Sequence, residues 1–216
     1  MFALYSFLHS AFFNVARIEV KGNRYFTREE ILSFADLSTG RNIFAMDTNA
    51  SQAALASQPR IASAAIRKQY PDKLLVSVAE RKPVAILSYG GSFLELDKNG
   101  YVLGVLGDNQ PIDLPMITGQ SPNYVRTGSR LEHPVIADAA AIAGSLTEDL
   151  SHQVAEINAG DPKNIILLTI SRVEVWWGPA SQLDEKAAVL STLTGELADK
   201  AGKLLDLRAP KSPVLR

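Results

Sequence analysis

Three histidines, His9, His133 and His152, are the only side chains of this chain whose ordinary pKa suits proton transfer near neutral pH. A hydrolytic triad would need one of them beside a serine or threonine and an orienting acid. His9 stands in an uncharged apolar stretch, His133 precedes a proline, and His152 follows a helical run. No Gly-x-Ser-x-Gly motif occurs, and no two histidines have the spacing of a helical zinc pair. The chain has no cysteine, which removes thiol nucleophiles, Cys-ligated metal sites and disulfides. Both glycine-rich phosphate loops are missing, and Gly90-Gly91 leads into a strand rather than a helix. Asp97-Lys98-Asn99-Gly100 lacks the further oxygen ligands and the distal glutamate of a calcium loop, so it reads as a turn. Glu29-Glu30 and Glu148-Asp149 fall at helix ends, where capping and the helix dipole account for them. On a strand, Trp176 and Trp177 face opposite sides, so one belongs to the core and only the other can stack on a ligand ring. The expectation is a protein without catalysis, cofactor, metal or small-molecule substrate.

The whole chain fits that picture. At 216 residues it is long enough for one large domain or two small ones, and its 46% hydrophobic and 21% charged residues are those of a globular protein. A net charge of −1 argues against nucleic acid, which demands concentrated Lys and Arg. Residues 1–83 carry 11 basic and 7 acidic side chains, whereas residues 84–216 carry 11 and 16. A basic first half suits a position near anionic lipid, and ordinary scatter of surface charge explains it equally well.

Residues 1–16 contain no Lys, Arg, Asp or Glu. Their apolar part is shorter than the roughly 20 residues a bilayer span takes, and it has neither the basic flank nor the small-residue cleavage site of a signal peptide. Three readings stay open: the outer end of an anchor whose beginning is absent, an interfacial segment with aromatics at headgroup depth, or a helix packed on the first domain. The aromatics favour the first.

The elements that position these residues can be placed next. Residues 15–20 alternate as a strand and stop at Lys21-Gly22-Asn23. Thr27-Arg28-Glu29-Glu30 is a capping box that starts a helix carrying Ile31, Leu32 and Ala35. Asp47 or Thr48 caps a second short helix, and strands follow at residues 63–69 and 74–78. Two helices must cover one face of this three-stranded sheet. Beyond Pro83 the pattern gives a hairpin at residues 92–105 turning on Asn99-Gly100, an extended piece at residues 114–117, and a helix over 134–150. Strands at 153–158, 164–170 and 173–177 come before a helix over 181–201 and a last strand over 204–208. The fold class is α+β: a small β-α-α-β-β domain, then a mixed β-sheet domain with two longer flanking helices.

The order of these pieces resembles a known family. Phe13-Asn14-Val15-Ala16-Arg17-Ile18-Glu19-Val20-Lys21-Gly22-Asn23, residues 27–32, Asn42-Ile43-Phe44, Asp47, Pro59-Arg60-Ile61 and residues 70–85 resemble a POTRA domain (polypeptide-transport-associated). Glu80-Arg81-Lys82-Pro83-Val84-Ala85, Leu96-Asp97, Gly100-Tyr101-Val102-Leu103 and Leu114-Pro115-Met116-Ile117-Thr118-Gly119 are similar to the bacterial division family FtsQ/DivIB, as are Gly178, Lys186 and Asp206-Leu207-Arg208. The resemblance implies a membrane-proximal segment at residues 1–13, a POTRA domain at 14–85, a β domain at 86–208 and a tail at 209–216. It further implies a single-pass protein of the cytoplasmic membrane, its folded domains extracytoplasmic at the division septum. There it would be a scaffold of the divisome that helps control septal peptidoglycan synthesis. The family's basic cytoplasmic tail and complete membrane helix are not in this sequence, so the anchor is expected to be truncated. Implied partners are small coiled-coil division proteins of the FtsB/DivIC and FtsL type. They would be reached through the C-terminal edge strand of the β domain by strand addition, with Leu204, Leu205, Asp206, Leu207 and Arg208 as partner-binding residues and Arg208 meeting a partner carboxylate. The competing readings are a polypeptide-transport or outer-membrane assembly component and a cell-wall hydrolase.

Overall fold

The computed structural model describes residues 2–107, 113–197 and 202–216 of the chain. Two compact units divide at Arg81, one comprising Met1–Arg81 and the other Lys82–Arg216. In the first, a helix α1 (Phe2–Leu8) and a 3-10 turn (Ala11–Phe13) lead into β1 (Arg17–Lys21). Helices α2 (Arg28–Phe34) and α3 (Thr48–Ala56) and strands β2 (Ile61–Gln69) and β3 (Lys73–Glu80) complete it. The strand order is β1-β3-β2, with β3 parallel to β1 and antiparallel to β2. The capping box forms as the sequence requires: Thr27 Oγ1 accepts the Glu30 amide at 3.2 Å, and a Glu30 carboxylate oxygen accepts the Thr27 amide at 2.8 Å. A second carboxylate holds the loop before it, because Glu80 accepts the amides of Arg24, Tyr25 and Phe26. Ile18, Ile31, Ile43, Leu55, Leu74 and Val76 form the core between helices and sheet. Among the described residues no helix is long and apolar enough to cross a membrane.

The second unit is built on one nine-stranded mixed sheet. Its strands are β4 (Pro83–Tyr89), β5 (Ser92–Asp97), β6 (Val102–Val105), β7 (Met116–Thr118), β8 (Val154–Asn158), β9 (Ile165–Thr169), β10 (Glu174–Gly178), β11 (Leu204–Asp206) and β12 (Val214–Leu215). Their spatial order is β12-β11-β10-β9-β8-β7-β4-β5-β6. Two neighbouring pairs are parallel with a helix between them in sequence, as parallel neighbours need a crossover. Between β7 and β8 come α4 (Pro134–Ser145) and the short α5 (Glu148–Ser151), and between β10 and β11 comes α6 (Leu183–Leu197). Helices α4 and α6 touch each other, which puts both over one face of the sheet. Ala85, Leu87, Leu96, Ile117, Ile136, Ile142, Leu167, Val175, Trp177 and Leu205 fill the space beneath them.

Three expectations need correction. The single helix over 134–150 is two, because Thr147 accepts the Leu150 amide and caps a new helix after Leu146 has turned extended. Pro83–Tyr89 is a strand without alternation: Val84-Ala85-Ile86-Leu87 is an apolar run, buried on both faces at its centre. The last strand, expected over 204–208, covers only Leu204–Asp206 and does not end the sheet. The expected continuation of α6 to residue 201 lies outside the described residues beyond Leu197.

Candidate partner-binding margin

Leu204, Leu205 and Asp206 form β11, and Leu207 and Arg208 follow it directly. On one side β11 runs parallel to β10, with Leu204, Leu205 and Asp206 opposite Glu174, Val175 and Trp176. On the other side lies β12, antiparallel, with Leu205 opposite Leu215 and Asp206 opposite Val214. The chain reverses through a turn in which the Ser212 amide donates to the Ala209 carbonyl at 3.0 Å. Leu204 and Arg216 then exchange both backbone bonds, at 3.0 and 2.8 Å. The predicted edge strand is therefore one place in from the edge, and β12 is the margin.

Alternation divides the predicted residues by role. Leu205 and Leu207 are buried in the core, while Leu204 and Asp206 are half-buried and Arg208 is exposed. Arg208 is not a free cation waiting for a partner. Its Nε and backbone amide donate to Asp206 Oδ1 at 2.9 and 3.1 Å, and its Nη2 donates to Oδ2 at 2.5 Å. The guanidinium lies 4.7 Å from the centre of the Trp176 ring. The hydrogen bond from Arg208 holds the Asp206 carboxyl below the usual carboxylate range, and the same contact raises Arg208. Gly178 makes room for this stack: a Cβ there would stand 3.0 Å from Arg208 Cγ, and its φ of +78° is one that side chains rarely adopt.

Behind the stack sits Lys186, fully buried on α6. Its ammonium donates to the carbonyls of Trp177 at 2.7 Å and Pro179 at 3.2 Å, fixing the bend around Gly178 from the core side. The resemblance named Gly178, Lys186 and Asp206-Leu207-Arg208 separately; the structure brings all of them to one end of β10 and β11. Burial lowers the Lys186 pKa from the ordinary 10.5. Between the folded value and 10.5 the unfolded chain binds one more proton, so stability rises with pH across that window; below it the burial cost of the charge is present in full. Urea denaturation from about pH 7 to pH 10.5 should show that rise in the native chain and not in Lys186→Met.

Two features of this margin escaped the sequence. Val214 and Leu215 form a strand too short to show alternation, and the prolines around it read as tail. Pro213 is tolerated because it precedes the strand and owes no ladder bond. The stacking of Arg208 on Trp176 joins residues 32 positions apart, which no local pattern reports. The division of the two tryptophans does follow from the strand period: Trp177 is fully buried and Trp176 half-buried.

Among the described residues none of the three histidines is hydrogen-bonded to a serine, a threonine or a carboxylate. His9 stacks on Tyr5 in the first unit, His133 starts α4, and His152 ends α5. A cleft of about 380 Å³ is lined by Ser129 and His133, but Ser129 Oγ accepts from Arg126 Nε at 2.8 Å. Among the described residues no three His, Cys, Asp or Glu side chains are grouped to hold a metal ion.

Residues 13–81 match the family model of the POTRA domain, FtsQ-type, and residues 85–208 match that of the cell division protein FtsQ/DivIB, C-terminal. A cell division protein FtsQ from Syntrophotalea carbinolica is 38% identical over 163 residues, which is 74% of this chain and 57% of that protein. The chain thus spans little more than half the length of that relative. An FtsQ from Streptomyces griseus is 29% identical over 95% of this chain and 98% of its own length, and one from Streptomyces venezuelae is 26% identical over 99% and 77%. A solved structure of the major extracytoplasmic domain of the trans isomer of DivIB from Geobacillus stearothermophilus aligns at 20% identity and a TM-score of 0.39, covering 56% of this chain and 93% of that one. With the C-terminal model alone matching more than half of its residues and the POTRA model most of the remainder, the chain belongs to the FtsQ/DivIB family of bacterial cell division proteins.

Proposed function

We propose that the chain is a non-catalytic extracytoplasmic scaffold of the divisome, tethered to the cytoplasmic membrane on its N-terminal side. A segment of a small coiled-coil division protein, of the FtsB/DivIC or FtsL type, adds to its β sheet as a further strand. Through that contact the scaffold takes part in controlling septal peptidoglycan synthesis.

The observation that carries this reading is the open side of β12. Leu204 and Arg216 exchange both bonds, so the next pair, Leu205 and Leu215, is of the kind that does not. The N–H and C=O of Leu215 consequently point away from β11, to the side on which no strand pairs with β12 among the described residues. Val214 and Leu215 are 44% and 40% exposed there, a short apolar edge with the Trp176–Arg208 stack on the neighbouring strands. Such an edge supplies main-chain bonds for affinity and side chains for selection. Among the residues first expected to bind, Leu204, Asp206 and Arg208 frame this margin, while Leu205 and Leu207 support it from the core.

Leu215→Pro tests the reading with little disturbance to the fold, since the amide it removes faces outward. Isothermal titration of the whole chain against the FtsB/DivIC-type protein of the same genome should show affinity falling by about tenfold or more. Unchanged binding by Leu215→Pro, with the native chain binding, would remove the edge-addition mechanism. No binding by the native chain would remove the partner assignment.

A further inference from the structure

The first unit ends in a surface that the margin above does not use. Five aromatic rings from three separate segments touch in sequence. Phe12 and Phe7 lie 6.1 Å apart, Phe7 and Phe13 5.2 Å, Phe13 and Phe44 5.1 Å, and Phe44 and Tyr70 5.1 Å between centroids. Phe13 closes the core, but Phe7, Phe12, Phe44 and Tyr70 are 54%, 61%, 39% and 59% exposed. Isolated exposed apolar side chains need no explanation; a continuous row of them does. Elsewhere on the unit the exposed Tyr25 ring is covered by the Arg60 guanidinium at 4.0 Å, and this row has no such cover among the described residues.

Hydrogen bonds tie the segments of the row together. Asn42 Nδ2 donates to the Leu8 carbonyl at 2.9 Å, tying α1 to the loop that carries Phe44. The Ile43 amide donates to the Phe13 carbonyl at 2.9 Å, and the Ala16 amide to the Asp72 carbonyl at 2.8 Å, beside the turn that bears Tyr70. These contacts gather the start of β1, the 41–44 loop and the β2–β3 turn at one end of the sheet. Arg17 and Lys68 stand at that end and have no carboxylate partner among the described residues; Lys68 donates to the Met46 carbonyl. Residues 1–16 bring no charge to it, and Met1–Arg81 has 10 Lys and Arg against 7 Asp and Glu.

From these placements we infer that the ring row is a membrane-contact surface: Phe7, Phe12, Phe44 and Tyr70 seat in the headgroup region of a lipid bilayer, with Arg17 and Lys68 over anionic headgroups. Aromatic rings partition to that depth, and binding there grows with buried apolar area and with attraction to anionic lipid. The charge balance favours this occupant over the acid-rich second unit of another copy only through a surface that also accepts bare rings, and a bilayer offers both at once. The row would set how the first unit stands on the membrane, a matter separate from strand addition and from any spanning anchor.

Flotation of the whole chain with vesicles is the test, using phosphatidylcholine alone and an equal mixture with phosphatidylglycerol. The native chain should float with the mixture and less with phosphatidylcholine alone. Phe7→Ser with Phe12→Ser should lower the partition coefficient by about tenfold or more, since two exposed rings are lost. Arg17→Gln should weaken binding to the mixture only. Tyr70→Ser, which alters a different segment, guards against misfolding of α1, and circular dichroism melting must remain as in the native chain. The inference is overturned if the native chain does not float, or if neither the Phe7/Phe12 pair nor Tyr70→Ser changes flotation. It is also overturned if sedimentation equilibrium shows a dimer that the same substitutions disperse. None of these results bears on the titration with the coiled-coil partner.

Discussion

Trp177→Ala should cost the second unit about 3–5 kcal/mol, read from the urea midpoint by circular dichroism. Trp177 is fully buried in the core beneath α6, and deleting its ring leaves a void that close-packed neighbours fill only in part. The indole Nε1 is buried, and among the described residues no side chain or backbone group accepts its N–H. Trp177→Phe removes that donor while keeping most of the ring, and its cost should be less than half that of alanine. Equal losses from the two substitutions would mean that ring volume is not what the site needs. Because the Trp177 carbonyl is held by Lys186, a collapse around position 177 should also loosen the bend at Gly178 and, with it, the seat of Arg208.

Gly22→Ala should destabilise the first unit by about 3 kcal/mol or more. Gly22 follows β1 at φ +87°, and an added Cβ would stand 2.0 Å from the Val78 carbonyl oxygen. That neighbour is backbone of the central strand and cannot rotate aside. Gly40 supplies the control: its φ is +85°, but nothing lies within 4 Å of its added Cβ. Gly40→Ala should cost only the conformational penalty, about 1–2 kcal/mol. Thermal melting of both variants separates the collision from the dihedral strain, and similar losses would show that the approach to Val78 relaxes easily.

What the residues announce in advance depends on whether their partners are near in sequence. Thr27 and Glu30 form their capping box because both halves lie within one helical turn. The turn at Asn99-Gly100 works the same way: Asp97 Oδ1 accepts the amides of Asn99 and Tyr101, and Gly100 supplies a φ of +79°. Gly90 and Gly91, both at positive φ, join β4 to β5, and a Gly-Gly pair between an apolar run and an alternating one is itself a hairpin signal. Sheet order is another matter. The pairing of β4 with β7 and of β11 with β12 depends on distant segments or on two-residue strands that carry no period of their own. For the margin, the resemblance named the segment 204–208, and the structure puts the edge of the sheet one strand further out, at Val214–Leu215.

The strand order of the first unit has a mechanical consequence. The first and last strands of the unit in sequence, β1 and β3, lie side by side and parallel over five paired positions, from Arg17 opposite Lys73 to Lys21 opposite Ser77. A pull applied ahead of Arg17 and beyond Glu80 draws the two strands past each other lengthwise, so the bonds between them carry the load together instead of opening one by one. Tension carried by these two strands therefore loads their ladder in shear.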